Sequence, residues 1–313
     1  MNIFYSVDDL PKFKNPIVTI GTFDGVHKGH QQILNQLKFE AQKVEGETVL
    51  ITFHPHPRNI VGDTSGVQLL TTLQEKLSLL AKADIDNVIV IDFNDNFSTL
   101  SANDFIEKFL YQYIKPHTII IGYDHRFGKE RLGNYSLLEA MGHKLNFWVK
   151  QIEPQLLQEA AISSTRIRKS ILQHDINTAT ELLGYHYKFE GVVIEGDKIG
   201  RTIGYPTANL QLIETDKLVP GDGIYAVKVE LKNATNLTNK NFKGMMYIGS
   251  RPVVNGKRRV IEVNIFDFDE DIYDKIVEVE VVAYIRGELP LNGLEALKNQ
   301  LHSDREQSKL LLN

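Results

Sequence analysis

The chain has 313 residues, with 35 Lys and Arg against 40 Asp and Glu for a net charge of −5, and it contains no cysteine. That length is long for one core and comfortable for two domains. The charge balance excludes a protein that coats nucleic acid or a membrane surface, and the missing cysteines exclude disulfides, thiolate zinc sites and cysteine nucleophiles.

Residues 1–10 carry Asp8 and Asp9 and lack a basic stretch followed by an apolar core, so they do not read as a signal peptide. No apolar run approaches a membrane span, and the default expectation is a cytoplasmic protein without nucleic-acid or membrane partners. Oligomeric state is not encoded legibly.

The first informative stretch is the β-branched run 17–20, followed by Gly21-Thr22-Phe23-Asp24-Gly25-Val26-His27-Lys28-Gly29-His30 and then an amphipathic pattern with Ile33, Leu34 and Leu37 on one face. This is a strand, a glycine turn and a helix start. His27 and His30 then share one side of the positive helix end, where Gly29 leaves room and backbone N–H groups suit a polyphosphate. A His-x-x-His pair alone is more often two exposed polar side chains with no site behind them. At a strand-to-helix turn, where open α/β sheets bind ligands, the functional reading prevails.

From residue 15 to about 160, strand candidates at 17–20, 48–53, 88–91, 118–121 and 146–149 alternate with helical patterns at 31–44, 73–82, 102–113 and 136–141. The alternation predicts an α/β domain with a Rossmann-like parallel sheet and ligands at the carboxyl strand ends. After 48–53 comes His54-Pro55-His56-Pro57-Arg58, a stiff turn whose His56 and Arg58 suit phosphate better than zinc, because two His without a third ligand leave zinc incomplete. After 118–121 comes Gly122-Tyr123-Asp124-His125-Arg126-Phe127-Gly128-Lys129, which fails the Walker pattern. Further on, Ser163 or Ser164 caps a helix that opens with Thr165, Arg166 and Arg168. Cations near a positive helix end are unfavourable unless an anion binds there, although a solvated basic turn is the plainer alternative.

Helical patterns at 165–173 and 176–183 end at Gly184, and the texture then changes to short alternating strands at 189–194, 224–230, 244–248, 260–266 and 276–285, with a terminal helix from Leu294. This predicts an antiparallel barrel or sandwich, with domains at 1–184 and 185–313. Gly196, Gly200 and Gly204, four apart, lead into Tyr205-Pro206-Thr207-Ala208-Asn209, whose hydroxyl and amide are hard oxygen ligands of the type Mg²⁺ takes beside phosphates. Along 260–266, Ile261, Val263 and Ile265 share one strand face, and Glu262 and Asn264 the other. By alternation alone, Glu262 would face water. The acidic run 267–271 reads as a solvated turn.

The Gly-x-Phe-Asp-Gly-x-His-x-Gly-His string of residues 21–30 resembles the FAD synthetase module of bacterial bifunctional riboflavin kinases, within the His-x-Gly-His nucleotidyltransferases. The Phe-x-Pro-His-Pro-Arg loop, the Gly122–Gly128 loop and the Ser-Ser-Thr-x-Ile-Arg string at 163–168 resemble later motifs of the same module in the expected order, with His125 standing where the family has Phe. The resemblance implies that His27 and His30 are catalytic, and that Gly21, Phe23, Asp24, Gly25, Gly29, His56, Arg58, Asp124, Ser164, Thr165, Arg166 and Arg168 hold nucleotide and phosphate. The stretch 196–209 resembles the flavokinase signature, which implies phosphate binding by Gly196, Gly200 and Gly204, Mg²⁺ at Thr207 and Asn209, and a catalytic base at Glu262. Segment 286–291 departs from the family's Arg-x-Glu-x-Lys-Phe. Together these imply an enzyme that phosphorylates riboflavin to FMN and adenylylates FMN to FAD, using two ATP. A flavokinase with a weak or redirected first module, and a non-catalytic flavin-binding protein, are the rival readings.

Overall fold

The computed structural model describes residues 1–61, 67–122, 125–152, 164–196, 199–232, 241–253 and 256–313. Their contacts divide into two units, Met1–Thr165 and Arg166–Asn313. Asp124 and Ser163 lie outside the described residues.

In the first unit, β1 (Asn2–Phe4), β2 (Ile17–Ile20), β3 (Thr48–His54), β4 (Asn87–Asp92), β5 (Thr118–Gly122) and β6 (Trp148–Ile152) form one sheet in the order β1-β4-β3-β2-β5-β6. Every neighbouring pair is parallel. The chain runs outward from β2 through β3 to β4, then returns to add β5 and β6 on the other side. The order therefore reverses between β2 and β5, and it is at the carboxyl ends of such a switch point that open α/β sheets bind ligands.

Strand alternation sends residues to both faces, so the strands read as continuous apolar runs. On one face Ile17, Leu50, Val88 and Ile120 pack with Ile33, Leu34 and Leu37 of α1 (Lys28–Lys43) and Leu77 and Leu80 of α2 (Leu73–Lys82). On the other, Val18, Val49, Ile89 and Ile119 meet Phe105, Ile106, Phe109 and Leu110 of α3 (Ala102–Asp104 running into a π-wound Phe105–Ile114) and Leu138 of α4 (Tyr135–Leu145). Full burial of one such side chain stabilises by about 1.5–3 kcal/mol. β6 lies two residues beyond its expected start, because Asn146 adopts φ 62° as the α4 cap and the Phe147 N–H donates to the Gly142 carbonyl.

In the second unit a helix over 164–172, α5, passes from one unit's contacts to the other's, and α6 (Ile176–Leu183) stops at Gly184 with φ 83°. Strands β7 (Lys188–Ile194), β8 (Ala208–Leu212), β9 (Gly223–Lys232), β10 (Asn241–Val253), β11 (Gly256–Ile265) and β12 (Ile276–Arg286) close into a barrel in the order β10-β11-β8-β7-β12-β9. All of its pairings are antiparallel. Closure leaves no sheet edge, which decides between barrel and sandwich. The terminal helix α7 (Gly293–Leu311) packs Leu301 against a cluster that includes Tyr205, Met245 and Phe266.

Candidate active sites

In the first unit the histidine turn sits at the carboxyl end of β2. Phe23, Gly25 and Val26 all take positive φ, at 48°, 85° and 35°. The strain at Phe23 and Val26 is offset by burial of both side chains in the core under α1. Gly21 lacks the Cβ that would press on the Phe23 ring at 2.9 Å, and Gly29 is buried in the first helical turn. Asp24 faces inward: its carboxylate accepts from the backbone N–H of Leu70 and Thr71 at 3.0 Å each, and the Gly25 N–H donates to Thr71 Oγ1 at 3.0 Å. The carboxylate thus clamps the turn to segment 70–72, where Thr72 and Glu75 form a capping box at the start of α2.

His27 is the N-cap of α1 and fully buried. Its Nδ1 accepts from the His30 N–H at 3.3 Å, so the neutral ring carries its proton on Nε2, which lies 2.7 Å from Ser164 Oγ. His30 is half-buried and stacks on His27 with ring centres 3.8 Å apart. The structure thus brings together His27, His30 and Ser164, far apart in sequence. His56 caps the helical turn Pro57–Ile60 by accepting from the Arg58 N–H at 3.2 Å, and the Arg58 side chain is exposed. Thr165 and Arg166 are exposed and Arg168 half-buried; both arginines belong by their contacts to the second unit.

The barrel holds a cavity of about 560 Å³, a size that accepts a drug-sized ligand. Thr207, Glu262 and Asn264 line it with Tyr247, Arg251 and the apolar Ile203, Met245 and Leu301. The face of β11 expected to meet water is therefore a cavity wall, with Glu262 and Asn264 both buried. Arg251 holds the carboxylate from Nη2 at 2.8 Å, and the Asn264 amide donates to the Pro206 carbonyl at 2.6 Å. Asn209 lies opposite Glu262 in register, and a Cβ on Gly196 would collide with its amide. Gly200 lets the backbone pass the Tyr205 carbonyl, and Gly204 turns at φ 86°.

Two further contacts shape the cavity. Tyr247 donates its hydroxyl to Glu288 at 2.5 Å, and burial, together with that bond, pushes the phenol's titration upward so that it stays a donor. Arg286 meets the buried Asp304 of α7 through Nε at 2.8 Å and Nη2 at 2.6 Å. Segment 286–291, which departs from the family string, therefore borders the cavity through Arg286, Glu288, Leu289 and Leu291.

A family model described as FAD synthetase matches residues 10–166, and one described as riboflavin kinase matches residues 183–312. A curated bifunctional riboflavin kinase/FMN adenylyltransferase from Buchnera aphidicola subsp. Schizaphis graminum is 39% identical, with coverage of 100% of this chain and 99% of the relative. The chain belongs to the bifunctional riboflavin kinase/FMN adenylyltransferase family. The Haemophilus influenzae member is 38% identical over 95% of this chain and 94% of its own, and that of Escherichia coli K12 is 34% identical over 92% and 90%. A solved Streptococcus pneumoniae chain titled a macrolide-efflux protein aligns at TM-score 0.82 and 28% identity over 98% of both chains. Among the described residues of this chain no helix is long and apolar enough to cross a membrane.

Within this family frame the donor set fits Mg²⁺ held jointly with phosphate. No cluster of three or more His, Cys, Asp or Glu is gathered for a metal among the described residues. Mg²⁺ needs none, since it keeps several waters and takes few protein oxygens beside substrate phosphates. The exposed Thr207 hydroxyl at the cavity suits that arrangement, as does the Asn209 amide. Sequence reasoning noted the loop Gly249-Ser250-Arg251-Pro252 but gave no role to Arg251, and it passed over Tyr247, Asp304 and Lys76. Arg251 follows the strand pattern of 244–248 in what reads as a loop and lies on β10 in the structure, Tyr247 sits in that pattern with no sign of its partner, and Asp304 reads as one polar residue in a polar helix. Lys76 had a signal, an ammonium at an apolar-face position of α2 beside Leu77 and Leu80.

Proposed function

We propose that the histidine turn of the first unit performs adenylyl transfer and that the barrel cavity performs phosphoryl transfer, so that one chain converts riboflavin to FMN and FMN to FAD. The observation that carries this reading is the match of each half to one activity, with the motif residues gathered at a switch-point turn in one unit and around a cavity in the other.

In the barrel, Glu262 takes the proton of the ribityl 5′-hydroxyl as its oxygen attacks the γ-phosphorus of ATP and ADP leaves. Paired with Arg251, the group is a carboxylate and can accept that proton, while the pair fixes its aim along β11. Thr207 and Asn209 would hold Mg²⁺ with the phosphates, and the ion would neutralise charge on the transferring group. The apolar wall formed by Ile203, Met245 and Leu301 suits the flavin ring.

In the first unit the FMN phosphate, already an anion, attacks the α-phosphorus of ATP and pyrophosphate leaves, so no base is required. His30 stabilises the charge developing on the phosphate oxygens from the helix end. His27 sets that geometry from beneath. Because its Nε2–H faces Ser164 Oγ, the serine hydroxyl can donate its own hydrogen bond to a phosphate oxygen. Gly21, Gly25 and Gly29 let the backbone approach the phosphates, His56 and Arg58 supply cationic or donor groups after β3, and we place the module boundary near residue 185. Incubation of the purified protein with ATP and either riboflavin or FMN, followed by flavin chromatography, tests the reading; absence of product from either flavin would refute it.

A further inference from the structure

Lys76 is buried at 7% exposure, although a lysine ordinarily keeps its ammonium in water. Burial pushes its titration down to about 8, against the pull of Asp24. Its Nζ donates to the Thr22 carbonyl at 3.1 Å, to Thr52 Oγ1 at 3.0 Å and to the Phe53 carbonyl at 3.4 Å. Thr52 Oγ1 also donates to the Thr22 carbonyl at 3.2 Å. An ammonium has three donors, and these three acceptors engage them all.

Thr22 opens the turn that leads to His27 and His30, and Phe53 lies immediately before the loop that carries His56 and Arg58. One amine on α2 therefore fixes two loops at the carboxyl ends of adjacent strands. If shape alone mattered, a methionine would fill the same volume without the cost of burying a charge.

We propose that Lys76 is a positioning residue of the adenylyl-transfer site, which registers the histidine turn after β2 against the loop after β3. With its donors committed to the protein, it acts through the loops and not on the substrate. This inference rests on the reading of the histidine turn as the adenylyl-transfer site.

The test uses the full-length chain with Lys76→Met and, separately, Thr52→Val, which removes the hydroxyl that supports the amine. Steady-state FAD formation from FMN and ATP is measured at a temperature where circular dichroism shows each variant folded, with riboflavin phosphorylation in the same preparation as the internal control. Misplacement of catalytic groups by about 1 Å can cost 10²-fold, so kcat for FAD should fall about 10–10²-fold in Lys76→Met with the KM for ATP within about threefold. Thr52→Val should shift kcat in the same direction by less, and it carries the test should Lys76→Met fail to fold. Lys76→Gln, which keeps a donor, should recover part of the loss. FAD formation within threefold of wild type, a rise in KM alone, or a loss that disappears on cooling would each overturn the proposal. His30→Ala runs alongside: its retention of full activity would remove the underlying site, whereas its inactivity beside a normal Lys76→Met would remove only the role of Lys76.

Discussion

Replacement of Asp304 by asparagine probes how the cavity wall of the barrel is held. The Asp304 side chain is 1% exposed and accepts from Arg286 twice and from Gln300 Nε2 at 2.9 Å, while the Arg286 side chain is 19% exposed. Removal of one partner from a fully buried ion pair typically costs about 3–5 kcal/mol, because the other charge is left uncompensated. Asparagine keeps one acceptor oxygen, and the guanidinium retains some water, so the expected loss is about 2–4 kcal/mol. For a unit of about 150 residues each kcal/mol moves the midpoint by about 2–4 °C, which gives a fall of about 5–15 °C. Scanning calorimetry of the full chain reads it as a displaced barrel transition, with FAD formation from FMN as the marker for the other unit. Arg286 also donates to the Gly287 carbonyl at 2.8 Å, next to the Glu288 that receives Tyr247, so the KM for riboflavin should rise as well. A midpoint shift under about 1 °C with an unchanged KM would refute the reasoning.

Three further outcomes are expected. Glu262→Gln should lower FMN formation by roughly 10²–10⁴-fold while riboflavin still binds, read by flavin fluorescence titration; near-normal turnover would remove it as the base. His30→Ala should lower FAD formation by about 10²–10³-fold and leave riboflavin phosphorylation intact, and equal loss of both activities in a folded variant would count against separate sites. Lys76, with its folded-state titration depressed to about 8 from 10.5, binds its proton more weakly in the folded than in the unfolded chain. Its ammonium therefore costs stability below pH 8, and that cost is relieved as pH rises from about 8 to 10.5, by up to about 1.4 kcal/mol per pH unit. Denaturant melts of Lys76→Met should lack this rise, and profiles parallel to wild type would contradict it.

Much of the fold was legible because the chain uses two distinct textures. The runs at 17–20, 48–53 and 118–121 are apolar on both faces, as strands of a covered parallel sheet must be, and the helices between them carry one apolar stripe. The strands not anticipated are those whose pattern is weak. β1 has three residues, none buried, and β8 buries only Leu210, so neither shows the periodicity that marks a strand. The π-wound part of α3 keeps an ordinary apolar stripe, which conceals its winding.

At the sites, the motif residues were visible, and the partners that set their geometry were not. The His27–Ser164 bond links positions 137 residues apart, and Arg251 reaches Glu262 through strand pairing whose register a single sequence does not state. Asp24 was expected at the nucleotide. Its side chain also fastens the turn to Leu70 and Thr71, a fold-level contact that the motif spacing does not reveal.

The most direct measurement is chromatography of the flavins after incubation of the purified chain with Mg²⁺-ATP and, separately, riboflavin or FMN. The account predicts that riboflavin goes to FMN and then FAD, and that FMN alone goes to FAD with release of pyrophosphate. Riboflavin that stops at FMN, with FMN left unchanged, would contradict the role given to the histidine turn, and no turnover of either flavin would contradict the enzyme as a whole.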